Sequence, residues 1–333
     1  MQTLANVRSG KPGFYPDQSI YAAYACAEFG LEFEDADGGT GLVFSVASRT
    51  RRVYFGAGRS SWYPQNNATA ATLASDKYFT NVILERAGLP TLGGKYFFLH
   101  ERRRAHRVAG HETDDIRDYF RELGATAFVK PLMGSRGDFA QTISDEAALA
   151  DYLREVSRYY DSILIQPIAS GLEYRIFILD DDVLYTARKY PPYLLGDGVR
   201  PVRDLLAAHN STLQTRGLSA AVMGAEANHS LDTILPKGKR FEIHGRMNMS
   251  AGGTMVLEEV RSDILPALAR KAVRALGLRV AAVDLFTDIG DEAGASAVIE
   301  VNSNPSIRLL EESSKPDLIL KIWRHTFSVM GLL

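Results

Sequence analysis

A chain of 333 residues exceeds what one hydrophobic core of ordinary size organises, so about two or three domains are expected. Hydrophobic residues at 46% and charged residues at 23% fit a soluble globular protein, and a net charge of -2 excludes nucleic-acid binding driven by a global basic field. The single cysteine, Cys26, excludes an intrachain disulfide. The opening Met-Gln-Thr-Leu-Ala-Asn-Val-Arg lacks a basic segment followed by an apolar core, and no run approaches the roughly 18 apolar residues of a membrane span. A soluble, cytoplasmic protein without membrane or nucleic-acid partners is the expectation.

Residues 1–75 read as a small α/β unit. Gln18 to Phe29 has helical spacing, with Pro16 and Asp17 at its start and Gly30 where a C-terminal glycine belongs. Cys26, in Tyr21-Ala-Ala-Tyr-Ala-Cys-Ala, falls on a face read as buried. Leu42 to Val46 and Val53 to Phe55 are short strand candidates, and Ser60 to Thr72 reads as a connecting loop running into a helix. Ser75-Asp76-Lys77 is an N-cap signature before Tyr78 to Ala87, which Gly88-Leu89-Pro90 stops. A strand at Lys95 to Leu99 and a helix at Asp114 to Leu123 follow, then the β-rich Ala127-Phe-Val-Lys130 and a helix at Glu146 to Ser157. Ile163 to Ile168, Tyr174 to Leu179 and Val183 to Lys189 are strands, the last two joined by Asp180-Asp-Asp182. Val202 to Asn210 and Ile264 to Leu276 are helical, Val280 to Thr287 and Ala297 to Val301 are apolar strands, and Asp317 to Met330 closes the chain as a helix. Helices and strands intermix with many hairpins, so α+β layers are expected over a pure βαβ array.

Four segments carry chemistry. In Phe128-Val-Lys130-Pro-Leu-Met-Gly134-Ser135-Arg-Gly137, a strand delivers a lysine into a loop whose glycines can turn backbone N–H groups toward phosphate oxygens; a plain hairpin turn is the alternative. In Ala282-Val-Asp284 and Val298-Ile-Glu300-Val-Asn302, two apolar strands carry hard oxygen donors of the kind Mg2+ prefers. Glu300 and Asn302 are two apart, so both face one side of a strand; a strand-end salt bridge is the alternative. Arg188-Lys189, ahead of Gly196-Asp-Gly198, places two cations at a strand end, either to meet a transferred phosphoryl group or to face solvent. The donor-rich Arg246-Met-Asn248-Met-Ser250-Ala-Gly252-Gly253 suits an oxyanion or serves as an ordinary turn.

Taken together, these segments resemble the ATP-grasp superfamily, most closely the branch of cyanophycin synthetase and the ATP-grasp half of bifunctional glutathione synthetases. The similarity runs from Ser75-Asp-Lys77-Tyr-Phe-Thr-Asn and Gly-Leu-Pro90 through Val-Lys130-Pro, Gln166-Pro-Ile-Ala-Ser-Gly-Leu-Glu173-Tyr-Arg175, Ala-Arg188-Lys189, Asn248-Met-Ser-Ala-Gly-Gly253 and Asp284 to Glu300-Val-Asn302. The resemblance implies two α/β subdomains clasping ATP, at 76–165 (the lid side) and 166–333 (with the metal site), behind an N-terminal α/β domain at 1–75. It implies that Lys77 and Lys130 hold phosphates under a lid containing Gly134, Ser135 and Gly137, that the Gln166 to Ile168 strand lies against adenine, and that Glu173 holds the ribose. Arg188 would face the γ-phosphate with Lys189 beside it, and Asn248 would lie near an acyl phosphate. Asp284, Glu300 and Asn302 would bind two Mg2+ ions. Gln166 stands where a glutamate is usual, and Asn-Ser-Asn-Pro-Ser replaces a more usual Pro-Gly.

The implied activity is ATP-dependent coupling of a carboxylate to an amine through an acyl phosphate, with amino-acid or peptide substrates and a homodimer by family habit. A ligase that extends a peptide or protein terminus, and a catalytically silent ATP-binding module, are the alternatives. His100, His106, His111 and the basic run Glu101 to Arg107 read as solvated surface. Tyr15, Asp17, Trp62, Arg175, Arg246 and Arg308 are lesser candidates for substrate contact.

Overall fold

The computed structural model describes residues 3–56, 62–134, 137–215, 231–243, 253–260 and 262–333. The chain begins with helices α1 (Leu4–Ser9) and α2 (Asp17–Phe29) and strands β1 (Glu32–Asp35), β2 (Val43–Ala47) and β3 (Arg52–Gly56). It continues through α3 (Ala68–Ser75), α4 (Lys77–Arg86), β4 (Lys95–Phe98), α5 (Thr113–Glu122), β5 (Ala127–Pro131), β6 (Gln141–Ile143), α6 (Glu146–Val156) and β7 (Ser162–Gln166). The remainder comprises β8 (Leu172–Leu179), β9 (Asp182–Tyr190), β10 (Tyr193–Leu195), α7 (Val202–Thr215), β11 (Arg240–Glu242), β12 (Thr254–Leu257), α8 (Ile264–Leu276), β13 (Val280–Thr287), β14 (Ala297–Asn302), α9 (Arg308–Glu312) and α10 (Pro316–Val329).

Three sheets organise these elements, in the orders β1-β2-β3, β4-β7-β5-β6 and β12-β9-β8-β13-β14, with a small ribbon of β10 and β11. Every ladder within them is antiparallel, in line with the α+β expectation. Local signals set the helix ends. Asp76 accepts from the backbone N–H groups of Tyr78 and Phe79 and so starts α4. Gly30 and Gly277 close α2 and α8 in the left-handed conformation.

The five-stranded sheet is covered on both faces. Tyr174, Ile176, Ile178, Ala281, Val283, Leu285, Val298 and Val301 pack against α8, whose Leu265, Ala269, Ala272, Val273 and Leu276 recur at helical spacing, and against α3 and α4. Phe177, Leu179, Tyr185, Ala187, Val280 and Ala282 face the other way, into one core built jointly by α2, β2, β3 and the C-terminal helices α9 and α10. Leu4 to Tyr63, within the segment 1–75 expected as a unit of its own, therefore contribute to one core with Ile307 to Leu332. Trp323, wholly buried, meets Phe44, Phe55, Tyr63 and Phe327 there. The four-stranded sheet has a separate core with α5 and α6 around Phe97, Phe120 and Ile165. Among the described residues, no helix is long and apolar enough to cross a membrane.

Candidate active site

Strand alternation assembles the acidic residues. Asp284 lies opposite Arg175 on β8 and opposite Glu300 on β14, so all three share one face of the sheet. Arg175 grips the Asp284 carboxylate with both arms, Nε to Oδ1 at 2.7 Å and a terminal nitrogen to Oδ2 at 2.8 Å. Lys189 Nζ stands 2.9 Å from the same Oδ2 and also hydrogen-bonds the Glu173 carboxylate. Two cations and two carboxylates thus form one quartet, with Glu173, Lys189 and Asp284 buried and Arg175 half-buried. Burial alone would push Asp284 up, yet Arg175 and Lys189 hold it well below the usual carboxylate range. Glu173, buried and sharing its lysine with Asp284, is displaced upward.

A β-bulge decides where Glu300 points. Leu285 pairs with Val298 but Asp284 pairs with Glu300, so Ile299 is an extra residue in β14. Without it, Glu300 would share the face of Val298, which is buried toward α8. With it, Val298 and Val301 remain in that core while Glu300 and Asn302 turn to the Asp284 face. Asn302 Nδ2 lies 3.5 Å from Asp284 Oδ2. Glu300 is half-buried and forms no hydrogen bond or ion pair with any described residue.

The four-stranded sheet contributes cations. Lys130, buried on β5, is drawn down to about 8, chiefly by burial, with Lys77 adding to the effect and Glu300, Glu173 and Asp284 opposing it. Those influences place Lys130 within electrostatic reach of the acidic face. Lys77 begins α4 and donates to the carbonyls of Gly134 at 2.7 Å and Leu132 at 3.5 Å, so it is tied to the glycine loop. Gly137 takes a positive φ in that loop. At the end of β7, Gln166 Nε2 donates to Gly93 O at 2.7 Å, while its buried Oε1 has no partner among the described residues. Gly94 makes this approach possible: a Cβ there would lie 2.6 Å from Ile165 O and 2.7 Å from Gln166 Cγ. Ile168, two residues on, is 48% exposed and offers an apolar surface.

The structure separates Arg188 from this group. It pairs opposite Tyr174, on the reverse face from Lys189, and reaches Glu258 at 3.6 Å and the Tyr190 ring at 4.7 Å. Of the two adjacent cations, it is Lys189 and not Arg188 that stands beside Asp284. Glu173, expected at the ribose, has its carboxylate in the quartet with Lys189. Ser135 and Asn248, with 244–252 as a whole, lie outside the described residues. His111, read as surface, is half-buried and stacks on Tyr96 at 4.0 Å. Among the lesser candidates, Arg308 bonds Asp17 and Glu312, Tyr15 bonds Asp35, and Trp62 is in the core. Arg175, read as a lesser candidate for substrate contact, instead binds Asp284; two residues after Glu173 on one strand, it had to share that face.

Among the described residues, no group of three His, Cys, Asp or Glu side chains is arranged to hold a metal. The oxygen donors here number two carboxylates and one amide. Glu300, uncommitted, and Asn302, whose amide oxygen makes no bond to a described residue, fit a hard cation beside Asp284.

The overall fold has counterparts among solved structures. A bifunctional glutathione synthetase from Pasteurella multocida superposes with a TM-score of 0.57 at 18% identity, over 91% of this chain and 44% of that one. D-alanine–D-alanine ligase from Bacillus anthracis gives 0.50 at 16% identity, over 80% and 72%. The fold is ATP-grasp.

In sequence, the ATP-grasp chain is 24% identical over 300 residues to the glutathione biosynthesis bifunctional protein of Desulfotalea psychrophila, covering 84% of this chain and 36% of that protein. It is 26% identical over 263 residues to cyanophycin synthetase of Synechocystis sp., covering 71% and 28%. The chain thus spans about a third of the length of the curated relatives it matches. No family model matches it.

Proposed function

We propose that this chain is an ATP-dependent carboxylate–amine ligase, forming an amide or peptide bond from amino-acid or small-peptide substrates and releasing ADP and phosphate. The observation that carries this reading is the single face on which Asp284, Glu300, Asn302 and Lys189 converge, with Lys130 in electrostatic reach from the other sheet. A carboxylate is a poor electrophile toward an amine until it bears a good leaving group. Transfer of the γ-phosphoryl group makes an acyl phosphate, and attack by the amine expels phosphate, so no protein nucleophile is required.

Each residue has a place in that scheme. Lys77 and Lys130 hold the nucleotide phosphates, with Gly134, Ser135 and Gly137 closing over them. Gln166 Oε1 accepts a hydrogen bond from a base amine, and Ile168 packs on the base. Glu300, Asn302 and Asp284 hold magnesium, two ions in the full complex; the metal supplies charge neutralisation for an in-line transfer. Lys189 has donors for the transferring phosphoryl oxygens, while Arg175 keeps Asp284 ionised and oriented. A cytoplasmic location accords with the one buried thiol, Cys26.

The test is phosphate release from Mg-ATP against a panel of amino acids and dipeptides, with mass spectrometry of the products and Glu300→Gln as control. A product mass equal to two components less water, lost in the control, is the expected result. Nucleotide binding without acid- and amine-dependent release across both free amino acids and peptides would overturn the ligase reading.

A further inference from the structure

Glu300 and Asn302 sit at the end of a strand with little sheet support. Among the described residues, β14 is the outermost strand and forms its ladder with β13, while its outer edge is bridged at Val298 by Pro90 and Thr91. The Ile299 bulge weakens the ladder immediately before Glu300. An edge strand with a bulge next to its functional residues frays unless something else holds its end.

The N-terminal loop 62–67 supplies that hold. The Asn66 carboxamide is buried and uses its whole bonding capacity. Its Nδ2 donates to Val280 O at 2.8 Å and Ser303 O at 2.9 Å, and its Oδ1 accepts from the N–H groups of Arg279 at 2.8 Å and Val280 at 2.9 Å. One side chain therefore joins the start of β13, which carries Asp284, to the residue after Asn302. Asn304 Oδ1 accepts from Trp62 N at 3.1 Å, and Pro305 O accepts from Tyr63 Oη at 3.2 Å and Gln18 Nε2 at 3.1 Å. Each of residues 303–305 is thus bonded to a residue that precedes α3.

We propose that Asn66, supported by Tyr63, is a positioning residue for the metal-binding strand pair, so that residues before α3 set the metal dependence of nucleotide binding. The inference rests on the reading that Glu300 and Asn302 hold magnesium. Asn66 touches neither the metal nor the nucleotide; it fixes the spacing of the two strands that do. Leaving buried backbone groups unpaired at this junction lets the end of β14 move relative to Asp284.

The experiment is calorimetric titration of the full chain with a non-hydrolysable ATP analogue, in EDTA and in saturating Mg2+, on wild type, Asn66→Ala and Tyr63→Phe. The readout is the ratio of the two dissociation constants. For Asn66→Ala that ratio should fall by about tenfold, in the range seen when groups that orient metal ligands are removed. The affinity in EDTA should stay near the wild-type value. Tyr63→Phe, which removes one hydroxyl from a bond to Pro305 O, should lower the ratio in the same direction by less, and it stands in if Asn66→Ala does not fold. An unchanged ratio in the folded variants, or equal weakening with and without Mg2+, overturns the positioning role. Absence of any Mg2+ effect in wild type instead overturns the metal-site reading beneath it.

Discussion

Replacing Asp284 by Asn removes one of the two carboxylates that neutralise Arg175 and Lys189, without changing the side chain's shape. Asp284 is 2% exposed, and the Lys189 and Arg175 side chains are 8% and 18% exposed, so the stranded cations have little solvent to turn to. Breaking a buried pair on one side costs about 3–5 kcal/mol. Unfolding entropy of ~2.1 cal/mol/K per residue comes to ~0.7 kcal/mol/K for 333 residues, so the midpoint should drop by about 4–7 °C. Glu300→Gln, at the paired position on β14, breaks no hydrogen bond or ion pair with a described residue and should shift stability by less than about 1 kcal/mol, or ~1.5 °C. Both variants should lose Mg-dependent turnover. Scanning calorimetry over a pH series separates the two effects. Asp284 is held below its unfolded pKa of ~3.9, so its contribution is fully present above that value and disappears as pH falls toward the folded one. Wild type and Asp284→Asn should therefore begin to converge as pH falls below about 4. Equal destabilisation by the two substitutions, or none by Asp284→Asn, would refute the assignment of the buried charge to Arg175 and Lys189.

Lys130 gives a pH signature. Its folded pKa of about 8 lies below the unfolded value, so nucleotide affinity should fall as pH rises past 8. Its contribution to stability moves oppositely: between 8 and about 10.4 the unfolded chain binds the proton that the folded one has lost, so that contribution rises with pH. Lys130→Met should abolish the affinity change while raising the thermal midpoint at neutral pH, and an unaltered pH–affinity profile would count against its role. Lys189→Met should reduce turnover by about 100-fold or more, as loss of a preorganised charge at a transferring group does. Arg188→Met should stay within a few-fold of wild type; steady-state rates for the pair distinguish the faces, and the reverse order would refute the assignment.

Much of the chain was legible in order. The Asp76 cap, the glycine loop after Lys130, the hairpin at Asp180–Asp182 and the strands bearing Asp284 and Glu300 all depend on residues within a few positions of one another, so local chemistry specifies them. The short strands β6, β10, β11 and β12 and helix α9 left little periodicity to read, because three to five residues complete barely one or two repeats.

The sequence by itself determined the donors: which carboxylates, amides and lysines exist, and that Glu300 and Asn302, two apart on a strand, act from one side. Tertiary structure decided what they face. Arg188 and Lys189 are adjacent cations that alternation must send to opposite faces, and nothing local says which face holds Asp284. That choice rests on pairing with Glu173 and with a carboxylate on β13, nearly a hundred residues away. The bulge at Ile299, which keeps Val298 in the core while turning Glu300 out of it, is a compromise between two burial demands that exist only once α8 and β13 are in place. Asn66 carries no mark of its role in the chain order, because the partners of its side chain all lie more than two hundred residues downstream.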